Sequence, residues 1–199
     1  MIARTAVDRV DTGANLGATV HYRQGDSDED RTAYGEVVLA AIGRVPNTDA
    51  DWFRSSGLKL DERGYVTVDG YGRTNLDGVW ALGDITPGHA LAHRAFEQGI
   101  TIAEKIAGAD PKPVLDDTVP QVVFSFPEAA SVGLTLDQAK AREDVVEPKE
   151  TAYPMLSNAR MLMSGEGGSM TVVSGAFANN PDMQVVLGVH IVSPIASDL

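Results

Sequence analysis

The segment from Thr74 to Asp84 constrains the fold more than any other part of the chain. Its apolar run at residues 79–82 predicts a buried strand, which ends at the pair Gly83-Asp84. A helix is predicted to follow over residues 90–107, because apolar and small side chains recur there on one face. In open α/β sheets, ligands bind at the carboxyl ends of strands, so the pattern predicts a binding site at this turn.

The two turn residues and the helix each suit contact with a ligand. Gly83 would allow the backbone to approach a ligand closely, and Asp84 would offer a carboxylate to hydroxyl groups. The helix would direct the N–H groups of its first turn towards an electron-rich ligand atom. A lone Gly-Asp pair more often only caps a turn, so this prediction depends on the whole segment.

The first half of the chain predicts short elements of both kinds. Residues 37–42 form a continuous apolar run, which is typical of a strand covered on both faces. This run ends at the turn-forming sequence of residues 43–47. Further strands are predicted at residues 18–22 and 65–68, and a short helix and loop at residues 48–60.

Pro111 and Pro113 predict a linker, and the pattern changes beyond it. Thr135 and Gln138 predict a capping box for a helix over residues 136–142. Strands are predicted around this helix at residues 119–125, 129–134, 169–174 and 184–192. Strand runs that are separated from helical runs indicate a small α+β domain.

Composition excludes several classes of function. The chain has 28 acidic and 16 basic residues, a formal charge of −12, so its surface would repel nucleic acid. It has no cysteine for a disulfide, a thiolate nucleophile or a metal site. No window approaches the roughly 20 apolar residues of a membrane span. No signal peptide is recognisable at residues 1–10, so we expect a cytoplasmic protein.

Four motifs, in this order, resemble those of one family: Gly43-Arg44-Val45-Pro46-Asn47; Thr74 to Asp84; Leu91-Ala92-His93 with Glu97-Gln98-Gly99; and residues 122–135. Together they resemble the flavoprotein disulfide reductases, the class I pyridine nucleotide-disulfide oxidoreductases. The resemblance covers the chain almost from end to end.

The resemblance implies a fold class of α/β plus α+β. The chain would be part of a flavoprotein with two dinucleotide-binding domains and a C-terminal α+β dimerisation domain. Residues 1–47 would be the end of the NAD(P)-binding domain, residues 48–117 the return segment of the FAD-binding domain, and residues 118–199 the first part of the dimerisation domain. The implied cofactors are FAD and NAD(P), and the implied assembly is a homodimer.

The resemblance also implies cofactor contacts residue by residue. Asp84 would hold the ribityl chain of FAD, and the backbone N–H of Ala92 would approach the flavin ring. Gly43 would lie near the nicotinamide nucleotide. For the His93 side chain we favour a packing or hydrogen-bonding role. The cofactor-binding candidates are Gly43, Gly83, Asp84, Leu91, Ala92 and His93, with no catalytic residue and no metal ligand.

The chain also departs from the family pattern. It contains neither a Gly-x-Gly-x-x-Gly loop nor the redox cysteine pair, and the family's C-terminal His-Glu pair is absent from it. We therefore expect a fragment, inactive alone, of an FAD-dependent NAD(P)H oxidoreductase.

The expected enzyme passes a hydride from NAD(P)H to flavin, and then electrons to a disulfide, as in dihydrolipoamide dehydrogenases, or to a quinone. Residues 158–160 and 192–199 look similar to those of NAD(P)H:quinone reductases. Two other hypotheses remain at this point. The chain is an inactive fragment that serves only as a dimerisation or interaction module, or it is an unrelated α/β binding domain.

Overall fold

The computed structural model describes residues 2–13 and 17–198. The chain divides into two compact units, Met1–Arg44 and Val45–Leu199. Each unit contains one antiparallel sheet, and the second unit also contains the helices. The mixed α and β character that the sequence predicts is thus confirmed. The assignment of residues 48–117 and 118–199 to separate domains stays a prediction.

The first unit is a three-stranded sheet in the order β1 (Thr5–Thr12), β2 (Ala18–Gln24) and β3 (Arg31–Gly35). The predicted strand at residues 18–22 is confirmed as part of β2. All eight residues of β1 are exposed. Its register with β2 is supported by a cross-strand ion pair in which Arg23 donates to Asp8 at 2.6 Å.

Residues 37–42 do not form the buried strand that their apolar sequence predicts. They belong to neither sheet, and Val37, Leu39 and Ile42 are 88, 87 and 91% exposed. A strand buried on both faces needs neighbouring strands for its N–H and C=O groups and a packed layer on each side. The described residues supply neither, so the prediction was wrong for this structure.

The first half of the second unit has little regular structure. It contains α1 (Asp51–Ser55), within the predicted helical stretch 48–60, and α2 (Ala92–Ile106), which confirms the helix predicted over residues 90–107. A small core joins Phe53 of α1 to Val66 and Ala81, which lie between the two helices in the chain.

The strands predicted at residues 65–68 and 79–82 are reduced to isolated bridges, Leu60 with Val66 and Arg73 with Trp80. These runs have β propensity but only one bridging partner each among the described residues, so no ladder extends from them.

The second half of this unit is a five-stranded antiparallel sheet in the order β4-β5-β8-β7-β6. The strands are β4 (Gln121–Val123), β5 (Glu128–Gly133), β6 (Val145–Pro154), β7 (Ser169–Phe177) and β8 (Asn180–Ser193), and the helices are α3 (Leu136–Ala141) and α4 (Ala159–Ser164). The four strands and the helix predicted here are confirmed with shifted ends, whereas β6 and α4 were not predicted.

Helix α3 packs on this sheet over a core that joins Leu134, Ala139, Val145, Val173 and Leu187. The predicted capping box is confirmed, because the Thr135 side chain accepts from the Gln138 N–H and the Gln138 side chain accepts from the Thr135 N–H. The fold thus fixes the start of α3 and the sheet face that it covers.

No helix among the described residues is both long and apolar enough to cross a membrane. Within residues 2–13 and 17–198, no cluster of His, Cys, Asp and Glu is placed to hold a metal ion.

Candidate functional site

The Gly-Asp turn is a single 3-10 turn, Gly83–Ile85, whose backbone is fixed by hydrogen bonds. The N–H of Gly83 donates to Oε1 of Gln98 in α2 at 2.8 Å. The Gly83 carbonyl accepts from both the N–H and the hydroxyl of Thr86, at 2.9 and 2.8 Å. Because Thr86 is buried and Gln98 belongs to a helix, the turn is held from two sides.

Two features favour glycine at position 83. Its φ of +74° lies in the left-handed region, which side chains other than glycine rarely adopt. A Cβ at this position would also lie only 3.3 Å from the Cβ of Ala95 in α2. The absence of a side chain therefore lets the turn pack directly on the helix.

The Asp84 side chain leaves this fixed turn and is exposed. It has no hydrogen-bond or ion-pair partner among the residues that the structure describes. Its neighbours are held, since the Ile85 carbonyl accepts from the N–H of Val66 at 2.8 Å. A carboxylate on a rigid backbone with both oxygens open can accept hydrogen bonds from ligand hydroxyls.

The N-terminus of α2 also has polar groups without a partner in the helix. Its first intrahelical bond runs from the Ala95 N–H to the Leu91 carbonyl at 3.2 Å, so the N–H groups of Ala92, His93 and Arg94 have no partner within the helix. Leu91 at the N-cap has no side chain that could accept from them, and the first turn contains no acidic residue. No acidic side chain of this first turn therefore neutralises the positive end of the helix dipole.

Two side chains of this first turn are engaged elsewhere. Nε2 of His93 donates to the Pro120 carbonyl at 2.7 Å, and the guanidinium of Arg94 contacts Pro87 and Asp116. The hydrogen-bonding role that we favoured for the His93 side chain agrees with this contact. Only the backbone N–H of His93 is left to face a ligand.

The structure brings five of the six predicted cofactor-binding residues into one turn-and-helix arrangement: Gly83, Asp84, Leu91, Ala92 and His93. Gly43 belongs to the first unit, where it is exposed and has a φ of +130°. A Cβ at Gly43 would meet no atom within 4 Å, so only its backbone angle favours glycine there.

Sequence reasoning missed Gln98 and Arg94 as residues that hold this arrangement. A signal was present, because both are polar and lie on α2 at i and i+4, on the same side of the predicted helix.

Comparison with known proteins decides the family. Residues 1–99 match Pyridine nucleotide-disulphide oxidoreductase, and residues 119–199 match the dimerisation domain of that family. The chain belongs to the pyridine nucleotide-disulphide oxidoreductases. The hypothesis of an unrelated α/β binding domain was therefore wrong.

Curated members of the pyridine nucleotide-disulphide oxidoreductases are similar over the whole chain. A dihydrolipoyl dehydrogenase of Cupriavidus necator is 40% identical over 97% of the chain, and one of Geobacillus stearothermophilus is 38% identical over 100%. The chain spans 39% of the length of each of these two relatives.

Solved structures agree with this assignment. LpdA of Mycobacterium tuberculosis matches with a TM-score of 0.81 and 31% identity, over 98% of this chain and 40% of LpdA. The flavoprotein disulfide reductase RclA of Escherichia coli matches with a TM-score of 0.73 and 23% identity, over 97% of this chain and 42% of RclA, and supports the fold alone.

Proposed function

We propose that the chain is part of an FAD-dependent NAD(P)H oxidoreductase and supplies the part of the flavin site that faces the ribityl chain and the ring. The observation that carries this proposal is the open carboxylate of Asp84 on a fixed turn that packs against α2, whose own N-terminus is uncapped. The enzyme would pass a hydride from NAD(P)H to flavin and then electrons to a disulfide or a quinone.

The hydrogen-bonding groups of the turn and of α2 match those of this cofactor. The Asp84 carboxylate would accept hydrogen bonds from ribityl hydroxyls, which are donors on a flexible chain. The N–H of Ala92, with that of His93 beside it, would donate to the electron-rich edge of the ring, and Leu91 would border it. Gly83 keeps the turn close to α2, so the carboxylate and the N–H groups stay near one another.

Bound FAD would supply the hydride-accepting chemistry, which no side chain of this protein can supply. The protein would orient the cofactor and set its electrostatic surroundings. The N-terminal end of α2 would stabilise negative charge placed there by roughly 0.3–1 kcal/mol. No acidic side chain in the first turn opposes this effect.

The acceptor is a disulfide by analogy with the curated relatives, which are named dihydrolipoyl dehydrogenases. The chain contains no cysteine, so disulfide exchange would use thiols that lie outside these 199 residues. The resemblance of residues 158–160 and 192–199 to quinone reductases keeps a quinone as the second acceptor. Gly43 would lie near NAD(P).

A homodimer is proposed because residues 119–199 match a dimerisation domain. The cytoplasmic location expected from the sequence stays a prediction. No observation favours the alternative of an inactive interaction module.

The test is a titration of the 199-residue protein with FAD, followed by the change in visible flavin absorbance. Asp84→Ala is expected to weaken binding by about tenfold, the loss of a charge-assisted hydrogen bond. Asp77→Ala, which removes another exposed carboxylate of the same region, is the matched control and should bind as the parent does.

Equal affinity in the two variants, or no flavin binding at any concentration, would overturn the proposed site. Addition of NAD(P)H with lipoamide or a quinone should give no turnover by the chain alone. Turnover would show that the chain is active by itself, against our expectation.

A further inference from the structure

Arg94 is a buried cation in the first turn of α2, and only 6% of its surface is exposed. Its Nε donates to Oδ1 of Asp116 at 2.7 Å, and its Nη2 donates to the carbonyl of Pro87 at 2.6 Å. Its Nη1 is buried and has no hydrogen-bond acceptor among the described residues. The side chain therefore connects α2 to the loop that precedes it and to a segment 22 residues further along the chain.

Each of the two segments leads to a part of the fold described above. Pro87 follows the turn that carries Asp84, so the Arg94 contact closes the loop between this turn and α2. Asp116 begins the 3-10 turn Asp116–Thr118, which leads into strand β4 of the five-stranded sheet. One guanidinium thus joins the flavin-facing turn, the flavin-facing helix and the segment that enters the C-terminal sheet.

Neighbouring contacts run between the same segments. His93 donates to the Pro120 carbonyl at 2.7 Å, and the Gln121 amide lies 3.1 Å from Nε2 of His89. Gly88 packs on the ion pair, since a Cβ there would overlap both the Arg94 guanidinium and the Asp116 carboxylate. The glycine, with a φ of +117°, lets the loop lie directly over this pair.

Stability alone is a poor reason for this arrangement. Taking a guanidinium out of water is costly, and one of its nitrogens has no acceptor among the described residues. An apolar side chain of similar volume often serves a protein interior equally well or better. What an apolar side chain cannot do is fix two acceptors from two segments in one planar geometry.

We propose that Arg94 is a positioning residue that couples the N-terminus of α2 and the Asp84 turn to the segment containing Asp116. This proposal rests on the proposed function only for the statement that α2 faces the flavin. Through Arg94, a displacement of the Asp116 segment, which enters the C-terminal sheet, changes the placement of the groups that would hold the cofactor. The coupling itself is a property of the protein without any ligand.

Amide hydrogen exchange in the 199-residue protein tests the coupling directly. Three reporter amides lie on the three joined segments: Thr86 in the loop, Ala95 in α2 and Val119 after the Asp116 turn, each with a defined backbone acceptor. The Leu134 amide, bonded to the Leu187 carbonyl at 2.9 Å, is the reference in the C-terminal core.

The first variant is Arg94→Met, which keeps most of the side-chain volume and removes both hydrogen bonds. We expect exchange at Thr86, Ala95 and Val119 to become about tenfold faster, because the loss of one interaction makes local opening of these segments easier. Exchange at Leu134 should not change. Lys105→Met is the matched control on the same helix, since Lys105 pairs with the exposed Asp110 at 3.0 Å. It should change none of the four amides.

The second variant, Asp116→Ala, separates coupling from local damage. Asp116 has no hydrogen bond to Ala95, and its side chain contacts α2 through Arg94, so faster exchange at Ala95 requires transmission through Arg94. Faster exchange at Val119 alone would overturn the proposal, as would an equal acceleration of Leu134 in either variant. If Asp116→Ala does not fold, Asp116→Leu is used, which also removes the acceptors of the carboxylate, and unchanged exchange at Ala95 then contradicts the coupling.

FAD binding distinguishes this proposal from the proposed function. If the chain binds FAD, Arg94→Met should weaken binding by about tenfold while Lys105→Met does not. Unweakened binding in Arg94→Met would contradict a positioning role at the flavin. If the exchange results hold and no variant binds FAD, the coupling stands and the flavin site does not.

Discussion

The two halves of the second unit are held together by different forces. The five-stranded sheet and α3 share an apolar core in which Val173 is fully buried. Residues 45–118 have a smaller core and depend on single polar contacts, such as Gln98 to Gly83 and Thr48 to the Gly64 carbonyl at 2.6 Å. Burial is distributed over many atoms, whereas each polar contact fixes one place in the backbone.

The difference shows how the candidate site obtains its geometry. An apolar core is held by many contacts at once, whereas the Asp84 turn depends on a few individual hydrogen bonds. We therefore expect core substitutions to lower global stability and polar substitutions near the turn to act locally. The following variants test this contrast, from the largest expected effect to the smallest.

Leu187→Ala should have the largest effect on global stability. Leu187 lies in the core under α3, and its truncation is expected to lower the free energy of unfolding by about 3 kcal/mol through lost burial and a residual cavity. Urea denaturation followed by circular dichroism measures the change. Val186→Ala is the control, because Val186 is its neighbour and is 65% exposed. An equal loss in both variants would contradict the assigned core.

Gln98→Ala should lower the free energy of unfolding by about 2 kcal/mol, because it leaves the part-buried Gly83 N–H without its acceptor. Unlike the core variant, it should raise amide exchange at Gly83 and Thr86 more than in the five-stranded sheet. Glu97→Ala, at the exposed neighbouring position, is the matched control. If exchange rises evenly through both halves, the turn is not held locally as described.

Asn75→Ala should lower the free energy of unfolding by a smaller amount, about 1 kcal/mol. The Asn75 side chain accepts from the Lys59 N–H at 2.7 Å and donates to the Gly57 carbonyl at 2.9 Å, but it is exposed and water replaces part of both bonds. Urea denaturation should show this loss. Asn47→Ala, which removes another exposed amide side chain, should leave the free energy of unfolding unchanged. A loss as large as that of Leu187→Ala would contradict the contrast.

The smallest expected effect is a pH dependence at the start of strand β5. The Ser197 N–H donates to Oε2 of Glu128 at 2.8 Å, and this hydrogen bond holds the pKa of the Glu128 carboxyl below its ordinary value of 4.5. Because the folded-state pKa is lowered, the stabilisation is present above pH 4.5 and is lost as the pH falls through the lower pKa.

An NMR titration should therefore show the Ser197 amide resonance moving below pH 4.5, and Glu128→Gln should abolish this movement. A Glu128 pKa at or above its ordinary value would contradict the contact.

Sequence patterns predicted those elements that depend on local signals. The Thr135/Gln138 capping box and the one-sided pattern of α2 each define an element by residues a few positions apart, and both were confirmed. Strand β6 was not predicted, because it is a charged edge strand with Pro148 at its bulge. Its pairing depends on β7, which no local pattern encodes.

The same distinction applies to the candidate site. Gly83 and Asp84 were predictable because they stand together at the end of an apolar run. The partners of Gln98 and Arg94 lie 15 and 22 residues away, so the polar pair on α2 marks these two residues but does not show what they contact. The apolar run at residues 37–42 gave the opposite error, since its pattern predicts burial that the described residues do not provide.

The most direct test of the central claim is the amide NMR spectrum of the protein with and without FAD. The account predicts that FAD shifts the resonances of Asp84, Ala92 and His93, and leaves Leu134 and Val173 in the C-terminal core unchanged. It predicts that Asp84→Ala weakens these shifts while Asp77→Ala does not. Shifts confined to other parts of the chain, or no shifts at saturating FAD, would contradict the assignment of this turn and helix to the flavin.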